Sequence, residues 1–398
     1  MFRSLKAALT REVCPFCFEP YKLSETPFRC ISPPSRCAPE KDDVRAAKWD
    51  QSAPMGKVLV ARGGLTNEVQ CVTCRQISRK RLCPACHMEL PHTAGELRSY
   101  IFAVIGAKEA GKSHFLAVLI DRIQNEIGPN LNMLLTPLND YTISRYRETF
   151  YDPIFNKHKV IEGTRSAVVD RRVQLPLVYN LVFRGRDVFG RSAIRKAVTL
   201  VFFDTAGEDL NDQDTMGTVN KYIYRSDGII LLLDPLQLSW VRGQLEGTVS
   251  LPAKNAETSD IVTRTTELIR AGRNLSRGGD VPVPTPLAVA FSKIDAVDSL
   301  MDRQCQLKSS PNHAGGLDIA DLVAVNDEMQ ALLNKWQGSY LTEQVSTFYS
   351  TFSFFGLSAL GCNPHGSQRI PRVIPHRIAD PFLWLLHRHS LIPEAKHG

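Results

Sequence analysis

The chain has 398 residues, is 43% hydrophobic and 22% charged, and carries a formal net charge of +7. That length suits one large globular unit plus a smaller one, and no composition bias points elsewhere. The longest uncharged apolar runs, such as Gly228 to Leu233, fall far short of the ~20 residues of a membrane-spanning helix, so no span is expected.

The N-terminus, MFRSLKAALTREVC, has only a short apolar run after Lys6 and no convincing cleavage site, which gives the expectation of a cytoplasmic protein. Eight of the ten cysteines (Cys14, Cys17, Cys30, Cys37, Cys71, Cys74, Cys83 and Cys86) lie in the first quarter, and six of them form three CxxC pairs. A CxxC pair suits two thiolates on one tetrahedral metal, and without an export signal Zn²⁺ is favoured over disulfides. Two pairings stay open. One is sequential (14, 17, 30, 37 and 71, 74, 83, 86), the other interleaved (14, 17, 71, 74 and 30, 37, 83, 86). Cys305 and Cys362 stand alone and read as ordinary core or surface residues.

Residues 1–97 thus form a zinc-ribbon-like or treble-clef-like module, with little periodicity because metal replaces a hydrophobic core. Through residue 99 it holds 16 Lys plus Arg against 10 Asp plus Glu, an excess that resembles a nucleic-acid patch. Two four-thiolate zinc sites would together add −4, so nucleic acid is a disfavoured partner. The run Arg79-Lys80-Arg81 reads as a solvated knuckle loop.

Residues 98–398 alternate apolar runs of strand length with helix-length segments, the pattern of an α/β fold with a mostly parallel sheet and helices on both faces. Strands are expected at 100–105, 177–184, 198–203, 229–233, 287–291 and 353–357. Helices are expected from Ser113 to Ile127, ended by Gly128-Pro129, and at 138–152, 257–272, 318–337 and 380–388. The linker between the units is short, so they should touch. The apolar segment after Asp380-Pro381 should pack as the last helix on the sheet rather than anchor to a membrane.

The strand Ile101–Ile105 runs into Gly106-Ala107-Lys108-Glu109-Ala110-Gly111-Lys112-Ser113 and then, from His114, an amphipathic helix. This is GxxxxGK[ST] in its strand-loop-helix context. Backbone N–H groups and the helix N-terminus would cradle phosphates, Lys112 would reach the β- and γ-phosphates, and the Ser113 hydroxyl would ligate Mg²⁺. Two later strands end in aspartate. Asp204-Thr-Ala-Gly207 has the DxxG form, in which the carboxylate holds Mg²⁺ through water and the Gly207 amide senses the γ-phosphate. Asp234-Pro235 offers no such amide and reads as a strand-end cap.

Ser292-Lys293-Ile294-Asp295 follows the apolar strand Leu287–Phe291 at the edge where ligands sit in open α/β sheets. Together these motifs resemble those of the TRAFAC-class (Ras-like) P-loop GTPases. The resemblance implies that Asp295 accepts from guanine and that the Lys293 stem covers the base, with Ser292 a mild departure from Asn or Thr. Ser358-Ala359-Leu360 resembles the family motif whose backbone amide supports the guanine O6. GTP is therefore favoured over ATP. The N-terminal knuckles, Asp234-Pro235 and Pro381–Leu386 resemble, more narrowly, a bacterial double-GTPase type associated with conflict or defence systems.

Two departures bear on turnover. The family's water-positioning glutamine is replaced by Glu208, a carboxylate that cannot donate a hydrogen bond, so hydrolysis is slow or Glu208 acts differently. Lys108 either leans over the γ-phosphate, or pairs with Glu208, or points into solvent. For the threonine that completes the family's Mg²⁺ shell, Thr164 is chosen, with Thr136 and Thr142 as competitors. The reading is a GTP-hydrolysing switch acting on a protein partner. The alternatives are a non-hydrolysing nucleotide-binding adaptor whose zinc module is the interaction surface, and a P-loop ATPase acting on nucleic acid.

Overall fold

The computed structural model describes residues 11–61, 66–92, 94, 100–107, 109–161, 175–186, 190–202, 216–254, 258–275, 281–362, 364 and 368–395. Among the site expectations, Lys108, Thr164, Asp204, Gly207 and Glu208 lie outside these residues.

In the cysteine-rich segment each CxxC pair imposes the same local geometry. The N–H of the first cysteine donates to the carbonyl five residues on (Cys14 to Glu19, Cys71 to Gln76, Cys83 to Met88), and its carbonyl accepts the N–H four residues on (Phe18, Arg75, His87). That fourth residue is left-handed in every case, with φ of 58° at Phe18, 61° at Arg75 and 53° at His87. Short antiparallel ladders flank these knuckles. β1 (Arg11–Val13) pairs with β2 (Pro20–Lys22), β3 (Phe28–Arg29) with β4 (Val58–Leu59), and β5 (Val69–Gln70) with β6 (Ile77–Ser78). Helix α1 (Asp43–Trp49) is capped by Asp42, whose carboxylate accepts the Arg45 N–H and pairs at 2.7 Å with both Arg29 and His87. Burial pushes the Asp42 carboxyl up, but the Arg45 N–H, Arg29 and His87 outweigh it and hold it below the usual range.

The second part is built on four parallel strands, β7 (Phe102–Gly106), β11 (Gly228–Leu233), β12 (Leu287–Phe291) and β13 (Phe352–Gly356), in the order β13-β12-β11-β7. Their almost wholly apolar composition is what burial on both faces requires. Alternate residues go to opposite faces: Ala103, Ile105, Leu231, Val289 and Phe354 join one cluster, and Phe102, Val104, Ile230, Ala288 and Phe355 the other. The first face is covered by α4 (Met216–Arg225), α6 (Thr258–Gly272), α7 (Ile319–Gln337), α8 (Tyr340–Phe348) and the first cysteine knuckle, the second by α2 (Lys112–Arg122) and α9 (Asp380–Arg388). The contact expected between the two parts therefore exists. The last helix packs as expected, with the Trp384 ring 5.9 Å from Phe355. No helix among the described residues is long and apolar enough to cross a membrane.

Beside β7 stands an antiparallel sheet, β8 (Met133–Pro137), β9 (Leu177–Arg186) and β10 (Ser192–Phe202), in the order β10-β9-β8. Strand β8 was not expected, and β10 starts six residues before its expected beginning. Mixed sequences such as Ser192-Ala-Ile-Arg-Lys lack the apolar run of a buried strand and are held by their ladder to β9. The first long helix also departs from expectation. Gly128-Pro129 does not end it: a wide turn over Ile123–Ile127 continues helically into Gly128–Asn130. Gly128 is needed there because a Cβ would meet the Ile123 carbonyl at 2.4 Å. The helix expected at 138–152 starts as α3 (Asp140–Arg145), capped by Asn139, and continues as a π-helix, Tyr146–Asn156, which accommodates Pro153. A further helix, α5, spans Ser239–Leu245.

Candidate functional site

The strand ends converge in register. Across the parallel ladders Gly106 stands opposite Leu232, Leu233 opposite Phe291, and Phe291 opposite Gly356. The phosphate loop, Asp234, the segment Ser292–Asp295 and Ser358–Leu360 therefore all leave the sheet at its carboxyl edge.

Within the loop, Gly106 has a sharper reason to be glycine than chain flexibility. A Cβ there would lie 2.5 Å from the Leu232 carbonyl oxygen of the neighbouring strand. Gly111 takes φ 80° at the start of α2, with open space around its missing Cβ, so the requirement is conformational. Glu109 is also left-handed, at φ 62°, and exposed, whereas Ala110 is fully buried. Ala107 lies at the edge of both apolar clusters. The Lys112 ammonium curls back over the loop, donating to the carbonyls of Gly106 and Ala107, both at 2.9 Å. Ser113 occupies the first turn of the helix. An ammonium and a hydroxyl at a helix N-terminus are groups able to donate to an anion.

His114 follows, and its Nε2 accepts the Ile161 N–H at 3.1 Å. Burial pushes its pKa down to about 4, with the Lys293 charge adding to the shift, so the ring is neutral and able to accept at pH 7. The competing threonines are committed to the fold. Thr142 is buried, its hydroxyl accepting the Val178 N–H at 3.2 Å, and the Thr136 hydroxyl donates to the Asn180 carbonyl at 3.3 Å.

At the other end of the edge, Ser292 is tied to β11 by its N–H and hydroxyl, which both reach the Leu233 carbonyl, at 2.8 and 3.1 Å. Lys293 is left-handed at φ 51° and its ammonium meets Asp234 at 2.6 Å. Asp234 also accepts the Leu236 N–H at 2.9 Å, so it is the expected cap and more. Asp295 lies in the first turn of the short helix Ile294–Leu300, and the Ile294 N–H bonds the Leu357 carbonyl beside Ser358-Ala359-Leu360. The Ser358 hydroxyl accepts the Gly361 N–H at 2.9 Å and closes that turn. Burial, with the Asp295 charge adding to it, pushes the Cys362 thiol up.

The eight N-terminal cysteines form two groups: Cys14, Cys17, Cys83 and Cys86, and Cys30, Cys37, Cys71 and Cys74. Neither expected pairing is this one. The arrangement is nested, because β3 and β4 fold the inner cysteines away from the outer knuckles. The Cys14–Cys86, Cys17–Cys83, Cys30–Cys74 and Cys37–Cys71 sulfurs lie 3.8, 3.7, 3.6 and 4.0 Å apart. A tetrahedron with Zn–S bonds of ~2.3 Å has edges of about 3.8 Å, so both groups fit zinc. Cys305 and Cys362 join neither. Each residue of the basic run has an intramolecular partner: Arg79 pairs with Glu68 at 2.7 Å, Lys80 with Glu89 at 3.2 Å, and Arg81 bonds Thr26 and stacks on Phe28.

The glycine-rich loop stands at the carboxyl edge of a parallel sheet in a mixed α/β fold. No family model matches the chain. Over 325 residues it is 26% identical to a Mycolicibacterium smegmatis protein named for an ESX-1 scaffolding and assembly role, SaeC, covering 76% of this chain and 78% of that one. Among solved structures it is similar to the signal recognition particle receptor SRb-GTP/SRX complex from Chaetomium thermophilum (16% identity, TM-score 0.29, 67% of this chain and 94% of that one). It is also similar to the S. cerevisiae Ski7 GTPase-like domain bound to GTP (14% identity, TM-score 0.30, 74% of this chain and 51% of that one).

Two contacts of the site carried no readable signal in the sequence: the Lys293–Asp234 pair joins residues 59 apart and the His114–Ile161 bond residues 47 apart.

Proposed function

We propose that this chain is a guanine-nucleotide-binding switch that hydrolyses GTP with Mg²⁺ and signals its state to a protein partner. The observation that carries this reading is the shared carboxyl edge. The phosphate loop, the Asp295 loop and the Ser358 turn emerge from β7, β12 and β13 of one parallel sheet, with β11 and Asp234 between them. In this reading the amides of Gly106–Ser113 and the Lys112 ammonium take the phosphates, and Asp295, Lys293 and Ser358–Leu360 take the guanine. Ser113 and Asp204 would hold Mg²⁺, which when bound neutralises charge developing on the phosphates. Glu208 in place of a hydrogen-bond donor supports slow turnover.

The zinc module, residues 1–97, is the proposed partner-facing element. The relative named for scaffolding and assembly supports a protein partner, and the internally paired Arg79-Lys80-Arg81 run argues against nucleic acid. A role in a prokaryotic defence or signalling system rests on the double-GTPase resemblance.

Titration of the purified chain with GTP, GDP and ATP tests the reading: guanine nucleotides should bind at least tenfold tighter than ATP, and Asp295→Ala should abolish that preference. ATP preference in the wild type would overturn it. Phosphate release separates the enzyme from the adaptor, since tight GTP binding without release makes it a non-hydrolysing scaffold.

A further inference from the structure

Strand β7 carries the phosphate loop and β10 runs toward Asp204, yet no ladder joins them among the described residues. The Tyr222 hydroxyl stands between. It accepts the Val104 N–H at 2.8 Å and donates to the Val201 carbonyl at 2.8 Å, with the Phe102 carbonyl further off at 3.4 Å. Val104 is two residues before Gly106, and Val201 three before Asp204. One buried oxygen thus replaces a direct strand-to-strand bond and sets the spacing of the two strands that lead to the phosphate-binding motifs.

Tyr222 is in turn held by the first cysteine knuckle. The Phe18 ring lies 5.3 Å from the Tyr222 ring, and both residues are almost wholly buried. Their chain neighbours, Glu19 after Phe18 and Lys221 before Tyr222, form an ion pair. Phe18 and Glu19 are the two residues whose backbones close the turn on Cys14, through Phe18 N–H to the Cys14 carbonyl and Cys14 N–H to the Glu19 carbonyl. The shape of that turn depends on Cys14 and Cys17 sharing a site with Cys83 and Cys86.

We propose that Tyr222 is a positioning residue of the nucleotide site, set by the outer cysteine cluster, so that metal held at Cys14, Cys17, Cys83 and Cys86 and nucleotide held at Gly106–Ser113 stabilise one another. This rests on the guanine-nucleotide reading above. Linkage makes the effect reciprocal: if the folded knuckle tightens nucleotide, nucleotide must tighten the knuckle's hold on metal by the same factor. Among the described residues the inner cysteines Cys30, Cys37 and Cys71 pack in a separate apolar cluster from the one that holds Phe18 and Tyr222, so the inner site serves as an internal reference.

The test uses the full zinc-loaded chain. Zinc released to a metallochromic dye under chelator challenge is followed with and without GTP and Mg²⁺, and the GTP dissociation rate is measured separately. GTP should slow release of one of the two zinc equivalents by roughly five- to tenfold and leave the other unchanged. Tyr222→Phe keeps the ring and removes the hydroxyl; it should erase that difference and speed GTP dissociation by a similar factor. If that variant does not fold, Glu19→Gln removes only the ion pair and should reduce the same ratio. GTP binding with nucleotide-independent release of both equivalents, or a Tyr222→Phe chain that retains the wild-type ratio, overturns the assignment of Tyr222 alone. A wild-type chain that binds no guanine nucleotide overturns the functional reading as well.

Discussion

The Lys293 ammonium lies 2.6 Å from a carboxylate oxygen of Asp234, and the Asp234 side chain is 1% exposed while that of Lys293 is 34% exposed. The pair ties the end of β12 to the end of β11, the strand that separates it from the phosphate loop. Its buried member is the costly one to strand, because an unpaired buried charge loses hydration without compensation.

Asp234→Asn keeps an acceptor for the Leu236 N–H and removes the charge that holds Lys293. Guanine-nucleotide affinity should fall about tenfold, mainly through faster dissociation, with a modest drop in melting temperature. A double-mutant cycle with Lys293→Met checks it: the two losses should be strongly non-additive, and full additivity would show that the pair is uncoupled from binding.

His114 gives the site an acid limit. Its folded pKa of about 4 lies below the ordinary value of 6.5, so the folded state binds the proton less readily than the unfolded one. Its contribution is complete above pH 6.5 and is lost progressively as pH falls from there through 4. Chemical denaturation between pH 4 and 7 should show this slope, and His114→Asn should flatten it.

The nested cysteine pairing makes a stoichiometric prediction. The wild type should hold two zinc ions. Cys17→Ser with Cys83→Ser should retain one, because both changes fall on the same cluster, whereas Cys17→Ser with Cys30→Ser should retain none. Metal analysis of the two double variants decides between this arrangement and a sequential one, which reverses the outcomes.

Arg377 is fully buried at φ 50° and bonds Asp321 and Asp380, both at 2.8 Å, with further contacts to Ser309 and the Gln306 carbonyl. It fixes the chain next to His376, which bridges to Ser358. Arg377→Ala should cost about 3–5 kcal/mol, because two carboxylates are left without their cation. Burial pushes the Asp321 carboxyl up, but Arg377 and Gln306 outweigh it and hold it below the ordinary value. Its contribution is present above the usual carboxylate pKa and is lost as pH falls through the depressed one. Urea denaturation of wild type and variant at neutral pH and at pH 3 should therefore differ less at the lower pH.

Strands β7, β11, β12 and β13 and the phosphate loop were legible from residue order alone. Parallel strands buried on both faces must be continuous apolar runs, and a phosphate cradle needs glycines at a fixed spacing inside one segment. The cysteines announced metal for the same local reason, since CxxC is a property of four consecutive residues. What the order of residues did not carry was every relationship between distant segments. The grouping of Cys14 and Cys17 with Cys83 and Cys86 depends on how β3 and β4 fold the chain between them. Strand β8 is defined by its partner β9, and Gly106 by the close approach of Leu232. The bond from Tyr222 to β7 and β10, and the pairing of Lys293 with Asp234, arise only when packing brings those backbones and charges together and removes the water that would otherwise satisfy them.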